Sequence, residues 1–281
     1  MEIDWVEIPA GEFVLGLSAS QAEGLLGRIE GSKARAEVEF LRGVLSRETY
    51  GQAVWLETFY ISRFPITWKQ YAEFAQSDHH YSERYWDLDE LEELKRWAEE
   101  RADLPADTPW HFALAFCDWI GARLSTSAEW EKAARGTDGR LYPWGNAWDP
   151  SRGNFTRDEE RWPDKTSPVT AYPSGQSPYG VMDMLGNTYE WTLSTMFGPS
   201  GSGNPAELVV CRSCSCDFYP TEYPDWFRNR VTSIMGNDMY FGGAELVGFR
   251  PVLDEWHQEF WSHFSESQEE APRIAVNRPW H

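Results

Sequence analysis

The sequence predicts an α+β chain, and three observations carry that prediction. Helical periodicity ends at Gly136, after two short helical segments in close succession. From 137 to 253 the chain holds only short strand candidates among loops rich in Gly, Pro, Ser, Asn and Trp. Aromatic residues reach 15%, with 16 Trp, 15 Phe and 12 Tyr, so bulky rings are available to pin an irregular half. A few helices followed by a long looped region is an α+β arrangement with short antiparallel strands. So much loop needs an anchor, either buried rings or bound cations.

The elements follow in order. Residues 3 to 16 read as a strand, a turn at Pro9-Ala10-Gly11, and a second strand. Residues 18 to 50 are rich in Ala, Glu, Leu and Arg at helical spacing and predict one or two helices. Ala53 to Ser62 reads as one strand. Thr67 is placed to cap a helix that runs to Gln76. Residues 77 to 103 are polar and include the charged run DLDELEELKRWAEERAD, which reads as a solvated insertion rather than core. Asp107 to Ile120 is an amphipathic helix with Gly121 at its C-terminal end. Ser127 to Arg135 is another, with Thr126 or Ser127 as its cap and Glu129 or Glu131 favouring its first turn. Strand candidates beyond it are Leu208–Val210, Phe241 and Gly248–Val252. Residues 254 to 281 form an acidic aromatic tail that opens on a candidate docked helix.

The totals exclude several classes. The chain has 281 residues, 41% of them hydrophobic, enough for a sizeable core in one large domain or two small ones. Net charge is −20, which opposes binding to nucleic acid or an anionic membrane. Four cysteines, at 117, 211, 214 and 216, are too few for a disulfide scaffold. The N-terminal residues show no signal-peptide pattern, and no run of eighteen apolar residues exists for membrane insertion. A cytoplasmic location is the resulting default.

The densest local signal is YGVMDMLGNTYEWTLS, Tyr179 to Ser194. Asp183, the Gly186-Asn187 pair and Glu190 fall within eight residues. Oxygen ligands crowded around a turn suit a hard cation such as Ca²⁺. The alternative is that Asp183 and Glu190 cap turns and bond backbone N–H groups.

Several blocks together resemble a known family. They are IPAGEFVLG at 8–16, ETFYISRFPITWKQYAEF at 57–74, RLSTSAEWEKAARG at 123–136, YPWGN at 142–146, GNTYEWT at 186–192 and GFRPV at 248–252. In this order they resemble the formylglycine-generating enzyme domain, also called the sulfatase-modifying-factor domain. The resemblance covers residues 1–253, is weakest over 17–52 and 77–103, and implies a variant of the C-type lectin-like fold. It implies a structural Ca²⁺ held by the Asp183 and Glu190 side chains and the Gly186 and Thr188 carbonyls. The family often has Asn where this chain has Asp183. It implies a second Ca²⁺ near Asn154 and Phe155, with Asp164 as a loose acidic partner.

The same resemblance implies copper(I) chemistry at two thiolates, as their softness favours, used to oxidise a substrate cysteine to formylglycine. Here the residues depart from the pattern. In CRSCSCDFY, Arg212 and Ser215 match the family's Arg and Ser, but Cys214 replaces a Gly and Cys216 an aromatic. The positions expected for the catalytic thiols fall near Phe218 and Tyr223, and no Cys follows Cys216. Catalytic residues are therefore assigned to none, and copper is not expected. Two alternatives stay open. A shifted register would pair Cys211 with Cys216, and Cys211, Cys214 and Cys216 could hold Zn²⁺ with a fourth ligand from elsewhere. An iron site of the family's other enzyme branch is opposed by the adjacent His79 and His80 and by the lack of a His-x3-His pair.

Residues 213 to 246 read instead as a contact surface. Rings set among Ser, Asn and Asp give contact area at low entropy cost and adaptable hydrogen bonds. A window of this composition ending in GFR resembles the variable proteins of diversity-generating retroelements, in which adenine-directed mutation spreads through Asn-type codons. The candidate ligand-binding residues are Ser213, Cys214, Cys216, Asp217, Phe218, Tyr219, Tyr223, Asp225, Trp226, Phe227, Asn229 and Tyr240. Within that window Trp226, Met235, Met239 and Glu245 would be fixed framework. The expectation is a non-catalytic display scaffold for a protein or other macromolecular ligand. Its rivals are a divergent copper-dependent oxidase and an inactive structural or regulatory member.

Overall fold

The computed structural model describes residues 1–30, 35–46, 48, 51–77, 88–155, 166–199, 205–213, 230, 232, 235–237 and 247–254. They form the expected α+β arrangement, with ten strands in three small sheets. Strands β1 (Trp5–Ile8), β4 (Phe59–Ser62), β10 (Pro251–Asp254) and β5 (Arg123–Leu124) make one antiparallel sheet in the order β1-β4-β10-β5. Both ends of the domain meet in it, because β10 lies beside β4. Strands β2 (Gly11–Leu15) and β3 (Gln52–Leu56) pair as a separate ribbon. The third sheet has the order β8-β7-β6-β9, built from β6 (Tyr189–Pro199), β7 (Pro205–Arg212), β8 (Met235–Asn237) and β9 (Val247–Gly248). Its β6–β9 pair is parallel and its other pairs are antiparallel.

Local chemistry explains the helix starts. Helix α3 (Trp68–Ala75) begins at a full capping box, in which the Thr67 side chain accepts from the Gln70 N–H and Gln70 reaches back to the cap. Two of the donors orphaned at a helix start are thereby satisfied. Helix α6 (Ser127–Arg135) repeats the device with Thr126 and Glu129 and stops at Gly136, whose φ is +70°. Helix α5 (Trp110–Trp119) starts three residues later than the spacing suggests, after Pro109, and has no side-chain cap. Its Ala113, Phe116 and Cys117 are buried.

Between β2 and β3, where the family resemblance is weak, the described residues form α1 (Ala19–Glu30) and α2 (Arg35–Ser46), which pack on each other as a hairpin. Leu25, Leu26, Ile29, Leu41 and Leu45 form a small core of their own, with Leu141 packed against it. The main core gathers α3, α5, β6 and β7 around Tyr71, Phe74, Phe116, Trp191 and Phe249.

Three sequence expectations change. Ala53–Ser62 is two strands in different sheets, broken at Glu57-Thr58. The break lets the chain pass from the β2–β3 ribbon to the main sheet. The charged run within 77–103 contains helix α4 (Leu88–Glu100), which is not wholly solvated. Leu94 is buried, Leu91 and Trp97 pack on the main core, and the Trp97 ring meets Trp68 edge-on at 4.6 Å. Leu91, Leu94 and Trp97 recur at three-residue spacing and give one apolar stripe that the surrounding charges mask in the sequence. Strand β6 lies where no strand is expected, because its first residues belong to what reads as a turn motif. The expected strand at Phe241 and the helix at the start of the tail lie outside the described residues.

Candidate functional site

The stretch from Asp183 to Glu190 folds as a tight turn that feeds directly into β6. Asp183, Gly186 and Asn187 all have positive φ, at 54°, 94° and 67°. Gly186 is required twice over, since a Cβ there would lie 2.9 Å from the Asn154 carbonyl oxygen and 3.0 Å from the Phe155 ring. Asn tolerates the left-handed conformation better than most side chains, and Asn187 uses it to stitch three segments. Its amide nitrogen donates to Asp183 Oδ2 at 2.9 Å and to the Ser167 carbonyl at 3.0 Å. Its amide oxygen accepts from the Ser167 N–H at 2.9 Å and from Asn154 Nδ2 at 3.3 Å. The sequence marks Asn187 as a turn former but carries no sign of these partners.

Glu190 is fully buried, and its charge is compensated inside the protein. Arg250 Nε donates to Oε2 at 2.7 Å and Nη2 to Oε1 at 2.6 Å, while Trp130 Nε1 donates to Oε2 at 2.7 Å. Arg250 places its remaining donors on the carbonyls of Ser62, Arg63 and Met182. All five guanidinium N–H groups are therefore used. Two motifs that are separate in sequence, GNTYEWT and GFRPV, meet here as one ion pair.

Asp183 is in a different state. It is 5% exposed, and burial pushes its pKa up to about 7, with the Asn187 hydrogen bond and Arg250 opposing the shift and Glu190 adding to it. The Thr188 hydroxyl is buried and has no hydrogen-bond partner among the described residues. Among the described residues no three His, Cys, Asp or Glu side chains come together as a metal-holding group. Asp183, with a buried carboxylate near a second one, fits a hard cation. Glu190 fits less well, because three donors already occupy its oxygens. A cation at this turn would rest on Asp183 and the backbone carbonyls of Gly186 and Thr188. Asn154 is buried and spends its amide on Asn187. Asp164 lies outside the described residues.

Above the turn stands the exit of β7. Glu190 and Arg212 are cross-strand partners, and so are Trp191 and Cys211. Arg212 is buried, its guanidinium lies 5.2 Å from the Trp130 ring centre, and it pairs with Glu131. Glu131 also accepts from Arg135 Nη1 at 2.7 Å and from the Gly16 N–H at 2.6 Å. Trp130 thus touches both buried pairs, through its N–H on one side and its ring face on the other. Ser213 follows with φ 70°, and its hydroxyl makes a long bond of 3.4 Å to the Gly186 carbonyl. The chain that begins the candidate binding window is tied to the turn at this point.

Of the candidate ligand-binding residues, Ser213 alone is described, and it is buried. Cys214, Cys216, Asp217, Phe218, Tyr219, Tyr223, Asp225, Trp226, Phe227, Asn229 and Tyr240 lie outside the described residues, as do His79 and His80. Cys211 is fully buried and belongs to the main core with Trp191, Val209 and Val247. That placement opposes the shifted register in which Cys211 and Cys216 share a copper ion, since the thiol faces packed apolar neighbours. Among the described residues no helix is long and apolar enough to cross a membrane.

Comparison with known proteins identifies the family and the fold. Residues 2–255 match a family described as the sulfatase-modifying factor enzyme 1-like domain. A curated relative, the inactive C-alpha-formylglycine-generating enzyme 2 of Mus musculus, is 38% identical over 160 residues, covering 54% of this chain and 49% of its own. The chain spans about half the length of such curated relatives. Two solved structures share the fold at a TM-score of 0.57. CarF is 18% identical, with 90% of this chain and 99% of its own covered. Treponema denticola variable protein 1 is 15% identical, with 90% and 95% covered. At such identities the likeness speaks for the fold alone.

Proposed function

Because the chain belongs to the sulfatase-modifying factor enzyme 1-like domain family, we propose that it is a non-catalytic member that binds a macromolecular ligand, most plainly a protein, through residues 213 to 246. The observation that carries this reading is the state of the thiols. Cys211 is buried in the main core, and no Cys follows Cys216. No Cys stands at the positions the family implies for the paired thiolates of copper(I) chemistry, and the burial of Cys211 in the core argues against its sharing an ion in the shifted register. A relative named as inactive and a fold neighbour named as a variable protein support the same direction. The finer proposal is that the window is diversified, as in retroelement variable proteins, on a scaffold whose turn at Asp183 takes a structural Ca²⁺.

Two measurements test it. Sequencing this gene from sibling isolates should find variation clustered at Asn-type codons between 213 and 246, with the flanking Arg212 and Gly248-Phe249-Arg250 constant. Uniform identity through the window would remove the diversified surface. The purified protein, supplied with copper(I), oxygen and a cysteine peptide, should release no formylglycine product. Turnover with bound copper would replace the binding reading with an oxidase.

A further inference from the structure

Glu48 is a buried carboxylate remote from the turn, just past the end of α2. Its N–H donates to the Leu45 carbonyl at 2.9 Å, and its own carbonyl accepts from the Leu17 N–H at 2.7 Å. These bonds close the α1–α2 hairpin back onto the chain leaving β2. The hairpin buries its apolar side chains mainly on itself. Its carboxylate, in contrast, is spent on the far end of the sequence. Arg230 Nη2 lies 2.9 Å from each Glu48 oxygen, and the Thr232 hydroxyl lies 2.9 Å from Oε2. Arg230 and Glu48 are only 2% and 4% exposed.

The contact continues into the framework already described. The Thr232 carbonyl accepts from Arg212 Nη1 at 3.2 Å, and Arg212 pairs with Glu131 of α6. One buried polar chain therefore runs from α6 through Arg212 at the end of β7, then Thr232 and Arg230, to Glu48 beside the hairpin. A carboxylate buried this deeply is costly without its partner, so the pairing constrains both segments. Nearby, β8 is held on β7 through Val209↔Asn237, Val210↔Gly236 and Cys211↔Met235.

We propose that the α1–α2 hairpin is a positioning element for the late chain, with Glu48 as its clamp on Arg230 and Thr232. In sequence the clamp separates 214–229 from 238–246, and described residues on each side, Ser213, Arg230, Asn237 and Val247, belong to the framework. Three buried Arg–Glu pairs mark the points where the chain leaves and returns: Arg212 with Glu131, Arg230 with Glu48, and Arg250 with Glu190. A stretch whose flanking residues the framework holds need not rely on its own side chains to stay in place, so those side chains can change. The inference rests on the binding reading of the window and assigns Arg230, Thr232 and Glu48 to its framework.

Hydrogen–deuterium exchange with mass spectrometry tests the clamp without any ligand. In Glu48→Gln, peptides spanning 230–237 should exchange at least about tenfold faster, while Trp5–Ile8, Phe59–Ser62 and Pro251–Asp254 keep wild-type rates. No change at 230–237, or an equal acceleration everywhere, would overturn the proposal. The second variant replaces 214–229 by a Gly/Ser linker of equal length. Peptides at 230–237 and 247–254 should then retain wild-type protection. Loss of protection at 230–237 would mean that the stretch and the clamp are one unit, which also overturns it. The binding reading is decided separately, by gene comparison and by assay, so either can fail without the other.

Discussion

Arg250 and Glu190, sixty positions apart, form a doubly hydrogen-bonded ion pair in which neither side chain touches solvent. The pair joins β6 to the chain entering β10, and Arg250 adds bonds to three backbone carbonyls. It therefore holds the turn and the main sheet in one register.

Removing one partner should be expensive. Arg250→Met leaves Glu190 buried and uncompensated apart from Trp130, and should cost about 3–5 kcal/mol in urea-induced unfolding. Arg250→Lys keeps the charge but cannot reproduce the planar fork, so it should fall between wild type and Arg250→Met. Equal stability of Arg250→Met and wild type would show that the pair contributes nothing net.

Asp183 makes stability depend on pH. Its folded pKa is raised from the ordinary value of 3.8 to about 7, so the folded chain holds a proton that the unfolded chain releases. The corresponding stability is fully present below about pH 4 and is lost as pH rises to about 7, at no more than about 1.4 kcal/mol per pH unit. Denaturation measured with EDTA between pH 4 and 8 should show this decline, and Asp183→Asn should flatten it. Added Ca²⁺ should raise the melting temperature of the wild type above pH 7 through binding to the native state. An EDTA-insensitive melting temperature with no Ca²⁺ detected would leave Asp183 as a turn residue.

Ser213 holds a left-handed backbone conformation that favours glycine. Ser213→Gly removes a strain of roughly 1 kcal/mol at the loss of one long hydrogen bond to the Gly186 carbonyl. The variant should melt at a higher temperature than wild type. A lower melting temperature would show that the link to the turn outweighs the strain.

Helix α4 should behave as core on one face only. Leu94→Ala empties a buried position and should cost about 2–3 kcal/mol. Glu93→Ala removes an exposed pair with Arg96 at 3.1 Å and should change stability by less than about 1 kcal/mol. Thermal denaturation of the two variants separates the stripe from the solvated face.

What the residues reveal by themselves is what neighbours in sequence decide. The caps at Thr67 and Thr126, the stop at Gly136, the β1–β2 corner and the turn at Gly186-Asn187 depend on side chains within a few positions of one another. Such contacts leave a readable pattern, and the family's blocks preserve it. The split of Ala53–Ser62 between two sheets and the buried stripe of α4 were hidden, because each depends on surfaces supplied from elsewhere in the chain.

The tertiary structure decided where the charges go. Glu48, Glu131 and Glu190 are ordinary acidic residues in the sequence, yet each is buried against an arginine 182, 81 and 60 positions away, respectively. No local periodicity encodes such a pairing; it arises only when the fold removes both charges from water and leaves each as the other's compensation. For the same reason the turn at Asp183 reads in sequence as a set of cation ligands. In the folded chain Glu190 takes its positive partner from Arg250, and Asp183, buried beside it, is bonded to the neutral Asn187 amide instead.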